Sequence, residues 1–418
     1  MTIAESTRPV HASIRAPFAD YALHSVFQPV FSLSHRRTVG FEALIRATDA
    51  ADTPVSPLEL FAAADSHQRV LELDQTCQAL HVRNFTMQTP ERRWLFLNLD
   101  PNTITQRSYR KGLLADALAE AALEPHLLVI EILESSICDE SLLMEAVTYF
   151  RDMGALVALD DFGAGHSNFD RIWRVAPDII KLDRSLIVEA EQHRTGHLRQ
   201  VLPNLVALMH EAGSLVLAEG IETEAQALLA INADVDFVQG FYFGYPVETI
   251  DRHPKQATRC LESLTTRFAE AALADDNASR RELAPYVDVF RAVADAIENG
   301  APIQQTCESL LKLPRTARCY LLNEWGEEVV HFRGNEAAAT RVRQTGPISD
   351  TSGGTWFRRK YFRAAMSDPR RHKISRPYQS SAGTDMCITL SIAFGNASPR
   401  VFCCDIHCPA RRTLARID

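Results

Sequence analysis

No window of the chain approaches the roughly 18 uninterrupted apolar residues that a bilayer demands, so no transmembrane helix is expected. The opening stretch MTIAESTRPVHASIRAPF has no basic segment leading into an apolar one, and no signal peptide is expected. Positive charge is not in excess. The net charge is −9, which argues against a chain given mainly to nucleic-acid binding. Closely spaced, evenly paired cysteines are also missing. Nine are scattered over 418 residues, so a disulfide framework is not expected and a reducing cytoplasm is. The densest group, Cys403, Cys404, His407 and Cys408 in CCDIHC, lacks the spacing and the second cluster of a zinc site. It is expected to be half-buried thiols at a strand end.

Apolar residues make up 46% of the chain and charged residues 23%, a globular balance, and the length suits two or three domains. Eight apolar runs of strand length fall at 26–33, 39–47, 93–100, 127–133, 156–162, 179–183, 215–220 and 237–243. They are continuous rather than alternating, as in strands covered on both faces. Helix-length segments separate most of them, such as ESLLMEAVTYFRDMGA and LRQVLPNLVALMHEAG, each with a glycine at its end. Eight strands alternating with helices over about 230 residues predict an α/β fold, a (β/α)8 TIM-like barrel. An open doubly wound sheet is the alternative. The first two runs are joined by too few residues for a crossover helix, so that pair is expected to be antiparallel.

The polar residues then fall at strand ends. Glu42 lies in the second strand, Asn98 and Asp100 end the third, and Glu131 and Glu134 end the fourth. Asp160 and Asp161 end the fifth, Lys181 and Asp183 the sixth, Glu219 the seventh, and Gln239 lies in the eighth. In a barrel this is the face where chemistry is done. So many acids converging on one mouth cannot all ionise without a cation among them. An oxygen-rich mouth with an asparagine and a lysine suits hard divalent ions, Mg2+ or Mn2+. Two such ions would activate a water and neutralise a phosphodiester in line; Asp160 could bridge both, Asp161 could bind one, and Lys181 would contact the water or a phosphate oxygen.

At these residues the chain resembles the EAL family of cyclic di-GMP phosphodiesterases. The resemblance is carried by EALIR (42–46), NLD (98–100), EILE (131–134), DDFGAG (160–165), KLD (181–183), AEGIET (218–223) and QGF (239–241), in order, over about residues 18–250. It implies a barrel with one reversed strand and hydrolysis of cyclic di-GMP to linear pGpG. It implies metal ligation by Glu42, Asn98, Glu131, Asp160, Asp161 and Glu219, and assistance to the water by Lys181 and Gln239. Glu134 and Glu222 would hold the loop after the fifth strand. Arg46 would meet a phosphate, Gln28 and the backbone near Leu44 the dinucleotide, and Asp183 the substrate or the ligand shell. A homodimer is the family's common state. One departure stands out: Leu133 replaces the usual threonine of Glu-x-Thr-Glu, and reduced tuning rather than loss of activity is expected.

The remainder divides into an N-terminal extension (1–17), a barrel (18–250), a helical linker (251–300) and a C-terminal domain (301–418). The linker reads as helices broken at ADDNAS (274–279), serving either as a signalling or dimerising element or as a cover for the barrel. Beyond it, short strands at 317–330, 385–394 and 400–407 and the stretch WFRRKYFRAA…ISRPYQSS resemble an α+β PAS/Cache-like sensory domain attached to some EAL proteins. Trp356, Arg359, Tyr361, Tyr378 and Asp405 are its candidate ligand contacts, with core aromatics and ion pairs as the other reading. From Phe357 to Arg376 there are eight Lys or Arg against one Asp, a solvated face or an anion-binding one. Three functions follow: a metal-dependent phosphodiesterase regulated by the C-terminal domain, a silent cyclic di-GMP receptor, and a protein-interaction scaffold.

Overall fold

The computed structural model describes residues 13–66, 68–88, 92–133, 139–165, 169–192, 197–250, 255–334, 354–379, 386–395 and 398–407. The chain divides into two compact units, Met1–Ala269 and Glu270–Asp418, and the division falls inside one helix, Lys255–Glu298. That helix runs without interruption through ADDNAS, where the sequence suggested a break. Its polar residues weaken helix propensity by only tenths of a kcal/mol each, which is too little to end a long helix.

The first unit is a closed barrel. Its strands are β1 (Tyr21–Ser32), β2 (Arg37–Thr48), β3 (Trp94–Asn98), β4 (Leu128–Leu133), β5 (Leu156–Phe162), β6 (Ile179–Leu182), β7 (Leu215–Ala218) and β8 (Phe237–Val238). β1 pairs antiparallel with both β2 and β8, while the six remaining contacts from β2 round to β8 are parallel. The short β1–β2 connection therefore reverses one strand, as its length requires. In this hairpin Gln28 lies opposite Glu42.

Alternation along a strand fixes what faces inward. One interior layer consists of Val30, Phe96, Val129, Ala158, Ile179, Leu217 and Phe237, one residue from each of seven strands. Gly40 completes it from β2, where a Cβ would sit 2.8 Å from the Phe96 ring, so that ring fills the space. Two residues toward the C-terminal ends, on the same inward face, come Glu42, Asn98, Glu131, Asp160, Lys181, Glu219 and Gln239. Gln28 joins them from two residues earlier, because β1 runs the other way. An apolar floor thus carries a polar layer. Outside the strands, helices Val70–Gln88, Glu140–Met153, Arg184–Gln192, His197–Glu211 and Glu224–Asn232 pack their apolar stripes against the barrel wall.

The eighth strand is shorter than its apolar run, which extends to residue 243. It ends at Val238 because Gly240, at φ +154°, turns the backbone against Ile221, where a Cβ would lie 2.2 Å from the Ile221 oxygen.

The second unit is an antiparallel sheet of six strands: β9 (Thr316–Leu322), β10 (Glu328–Arg333), β11 (Lys373–Ile374), β12 (Tyr378–Gln379), β13 (Met386–Phe394) and β14 (Arg400–His407), ordered β10-β9-β14-β13-β11 with β12 also on β13. One face carries Cys319, Leu321, Phe402, Cys404 and Ile406 against Phe290 and Leu310. The other carries Tyr320, Leu322, Val401 and Cys403 against Trp356 and the helix Lys360–Ser367. Cys403 and Cys404 therefore point to opposite faces and do not share a metal. Both are completely buried rather than half-buried, and Cys408 lies outside the described residues. On the second face Asp405 accepts from Arg318 Nε (2.8 Å), Thr389 Oγ1 (2.6 Å) and the Tyr320 hydroxyl (3.2 Å). The Arg359 guanidinium stands 5.8 Å from the Trp356 ring and 5.6 Å from that of Tyr378. The five ligand candidates thus gather on one face, with the Asp405 carboxylate occupied by partners within the domain.

Gly240→Ala adds a side chain at a positive φ and against a fixed backbone, two costs of about 1–3 kcal/mol each. The variant is expected to lose at least about 2 kcal/mol in denaturant titration, and a wild-type midpoint would refute this account of the strand's end.

Candidate active site

Lys181 stands at the centre of the polar layer. Its Nζ lies 2.5 Å from Glu131 Oε1, 2.6 Å from Glu219 Oε1, 2.9 Å from Asp160 Oδ1 and 4.0 Å from Glu42 Oε1. Lys181 and Glu131 are each 1% exposed. Burial works against the lysine's charge, yet Asp160, Glu131, Glu219 and Glu42 together hold it well above its ordinary value. The acids show the converse. Burial pushes Glu219 up to about 8 despite Lys181, with the Asp160 and Glu42 charges adding to it. Burial likewise raises Glu131 well above the usual carboxylate range, against the pull of Lys181. One ammonium does not balance four carboxylates at such depth.

Two neutral amides brace the layer. Asn98 Nδ2 donates to Glu42 Oε1 (3.0 Å), and Gln239 Nε2 donates to Glu42 Oε2 (2.5 Å) and Gln28 Oε1 (3.2 Å). Gln28 Nε2 in turn donates to the Gly244 carbonyl (3.2 Å).

Asp161 should face outward by simple alternation. Instead, the β5–β6 register slips between Leu159 and Phe162, and Asp161 takes φ +57°, a conformation aspartate tolerates better than most residues. The bulge returns its carboxylate to the mouth. Oxygens of Asp160, Asp161 and Glu219 then lie within 4.8 Å of one another, as do those of Glu42, Glu131 and Glu219. Glu219 is common to the two groups. Burial raises the Asp161 carboxyl, with Asp160 adding to the effect.

The donor set fits hard divalent cations. All the donors are oxygens, and Glu131 Oε2 is buried without a hydrogen-bond partner among the described residues. A cation held here would satisfy that oxygen and keep the raised acids ionised.

The remaining predicted residues lie around this centre. Leu44 and Arg46 line a cavity of about 180 Å3 with Asn98, Asp74, Gln78 and His81. Arg46 Nη1 donates to the Ile45 carbonyl (2.8 Å), and burial lowers its pKa. Glu222 pairs with Arg184 Nη2 (2.7 Å). Asp183 is not drawn into the acid layer: its Oδ1 accepts from the Ser185 backbone N–H (2.9 Å) at the start of the following helix. Glu134 lies outside the described residues. Leu133 is the β4 residue opposite Asp160, one inward step above Glu131, so the threonine's usual place here forms an apolar lip of the mouth.

Asp74 was not singled out from the sequence. Its signal was available: Asp74, Gln78 and His81 recur at helical spacing within an apolar stretch, and all three are buried. Asp74 Oδ2 accepts from Gln78 Nε2 (2.8 Å) and Thr103 Oγ1 (2.6 Å), and burial pushes its carboxyl up to about 7.

A family model described as the EAL domain matches residues 12–246. The chain belongs to the EAL domain family. Among its EAL relatives, the cyclic di-GMP phosphodiesterase RocR of Pseudomonas aeruginosa is 26% identical over 224 residues, covering 53% of this chain and 56% of RocR. This chain's match spans from 28% to 56% of the length of these curated relatives. The EAL-domain protein YkuI of Bacillus subtilis, solved in complex with substrate c-di-GMP and calcium, shares the fold. Its TM-score is 0.75 at 22% identity, over 92% of this chain and 96% of YkuI. The EAL protein BlrP1 of Klebsiella pneumoniae, solved at pH 6 as a manganese/cyclic di-GMP complex, gives a TM-score of 0.50 at 26% identity, over 57% of this chain and 59% of that one.

Asp74 supplies a pH test. Its carboxyl is raised on folding from 3.8 to about 7, so stability is fully present below about pH 4, falls as pH rises toward 7 and is then level. The total is a few kcal/mol. Asp74→Asn removes that loss. Its melting temperature should exceed that of the wild type by more at pH 8.5 than at pH 5, and an equal difference at both would contradict the buried-acid assignment.

Proposed function

We propose that the barrel hydrolyses cyclic di-GMP to linear pGpG. The observation that carries this reading is the polar layer itself: eight strands each deliver one hydrogen-bonding or charged side chain to one ring, with two acid triads sharing Glu219. Bound Mg2+ or Mn2+, held by Glu42, Asn98, Glu131, Asp160, Asp161 and Glu219, supplies Lewis acidity at the phosphate and an activated water. Lys181 hydrogen-bonds the attacking water or a non-bridging phosphate oxygen from below and compensates the charge that gathers there. Gln239 and Asn98 fix Glu42, so that its oxygens are aimed before substrate arrives. Arg46 takes a phosphate at one flank. The adjoining cavity is where a base of the dinucleotide would sit, with Leu44 as an apolar wall. Glu134 and Glu222 steady the loop that follows β5, and Asp183 orders the end of β6.

The second unit is read as a PAS/Cache-like sensory domain that regulates the barrel. Its support is the six-stranded antiparallel sheet with helices against it and the aromatic–arginine face around Trp356 and Arg359. The working form is read as a cytoplasmic homodimer. No helix among the described residues is long and apolar enough to cross a membrane.

The test is turnover of cyclic di-GMP, followed by chromatography of pGpG, with Mg2+ or Mn2+ and with chelator. Wild type with metal is expected to be active, and Glu42→Ala and Asp160→Ala to fall by about 100-fold or more. Turnover indifferent to chelator, or unaffected by both substitutions, would overturn the reading. Binding without turnover would make the chain a receptor.

A further inference from the structure

We infer that Arg184 binds the second, non-scissile phosphate of the dinucleotide, with Glu222 holding its guanidinium in place until substrate arrives. This rests on the cyclic di-GMP reading and deepens it.

Two cavities flank the acid layer. The one already described contains Arg46. The other, about 210 Å3, is lined by Gln28, Glu42, Glu219, Gln239 and Phe241, with Arg184 as its one basic side chain among the described residues. A cyclic dinucleotide carries two phosphodiesters. The acid layer with its cations serves the one that is cut. The other must approach a mouth rich in carboxylates, and it needs a cation of its own. Arg46 and Arg184 are the arginines that line the two flanks.

Arg184 is placed there by the backbone. It follows Lys181 by three residues and opens the helix Arg184–Gln192. Its stem crosses Gly220, the residue after Glu219. Gly220 has φ +61°, and a Cβ there would lie 2.5 Å from Arg184 Cβ and 2.6 Å from Cγ. A side chain at position 220 would push the arginine off the rim. The guanidinium is thereby held against Glu222 in the cavity that Glu219 also lines, with its side chain 54% exposed.

Its contact with Glu222 engages Nη2 at 2.7 Å. A guanidinium has five N–H donors in a planar fork, so among the described residues Nε and Nη1 remain to meet phosphate oxygens. Glu222 is itself one-third exposed, and an ion pair so open to water is weak enough to yield to a phosphate.

The full-length protein tests this with cyclic di-GMP binding in Ca2+, the ion in the YkuI complex, and with Mn2+-dependent turnover of cyclic di-GMP and of bis(p-nitrophenyl) phosphate, which has one phosphodiester. Arg184→Met keeps the aliphatic stem on Gly220 and removes the charge. It should weaken cyclic di-GMP binding by about 10-fold and raise KM more than it lowers kcat. Its loss of kcat/KM on the one-phosphate substrate should be several-fold smaller. Arg184→Lys, which keeps the charge but not the fork, should fall between Met and wild type, and it decides the matter if the Met variant fails to fold. Equal losses on both substrates, or binding within twofold of wild type in both variants, would overturn the assignment of Arg184 while leaving the cyclic di-GMP reading intact. A wild type that neither binds nor cleaves cyclic di-GMP would overturn both.

Discussion

The burial of one ammonium among four carboxylates is the constraint on which the first unit turns. Lys181 is within 4.0 Å of Glu42, Glu131, Asp160 and Glu219, and water is excluded from all but the rim. Burying any one of these charges costs several kcal/mol unless it is compensated. With only the lysine for compensation, Glu131 and Glu219 are driven toward their protonated forms. A hard divalent cation changes the balance: it ionises the acids, satisfies the unpartnered oxygen of Glu131 and frees the lysine's donors for another ligand. The site is thus arranged at the expense of stability in its own absence of cations, a common feature of places where catalysis is done.

The fold makes this arrangement possible by repetition. Each strand places an apolar residue in the barrel floor and a polar one two residues later, so a single step along every strand separates core from chemistry. Where a strand runs backward, the step reverses too, and Gln28 enters the ring from the opposite direction. Where one residue per strand is not enough, a bulge adds another: Asp161 reaches the mouth by a slipped register and a left-handed backbone. Rigidity comes from the floor and the helices outside. The rim, by contrast, carries exposed pairs such as Arg184 with Glu222, which can exchange partners.

Much of this was legible in the sequence, for physical reasons. Continuous apolar runs marked strands buried on both faces, and polar residues at their ends marked the mouth. The short gap between the first two apolar runs revealed the reversed strand. Other features depend on contacts between distant segments. The early end of β8 follows from the backbone of Ile221 meeting Gly240, and the run of apolar residues gave no hint of it. The continuity of the Lys255–Glu298 helix through ADDNAS reflects cooperativity, which outweighs local propensity. Asp74 was overlooked because an acid on a helix ordinarily faces water. Its burial becomes plain only when Gln78 and Thr103 are seen to satisfy it. That Glu219 lies within reach of both acid groups is a matter of distances that no spacing encodes.

The central claim is that the acid layer is built for cations, and the most direct test needs no substrate. Metal-free protein would be titrated with Mn2+ while free Mn2+ is followed by electron paramagnetic resonance. The account predicts two ions bound per chain, with Glu219→Gln, which alters the acid common to both triads, weakening both. A folded wild-type protein that binds no Mn2+, or a Glu219→Gln variant that binds two as tightly as wild type, would contradict it.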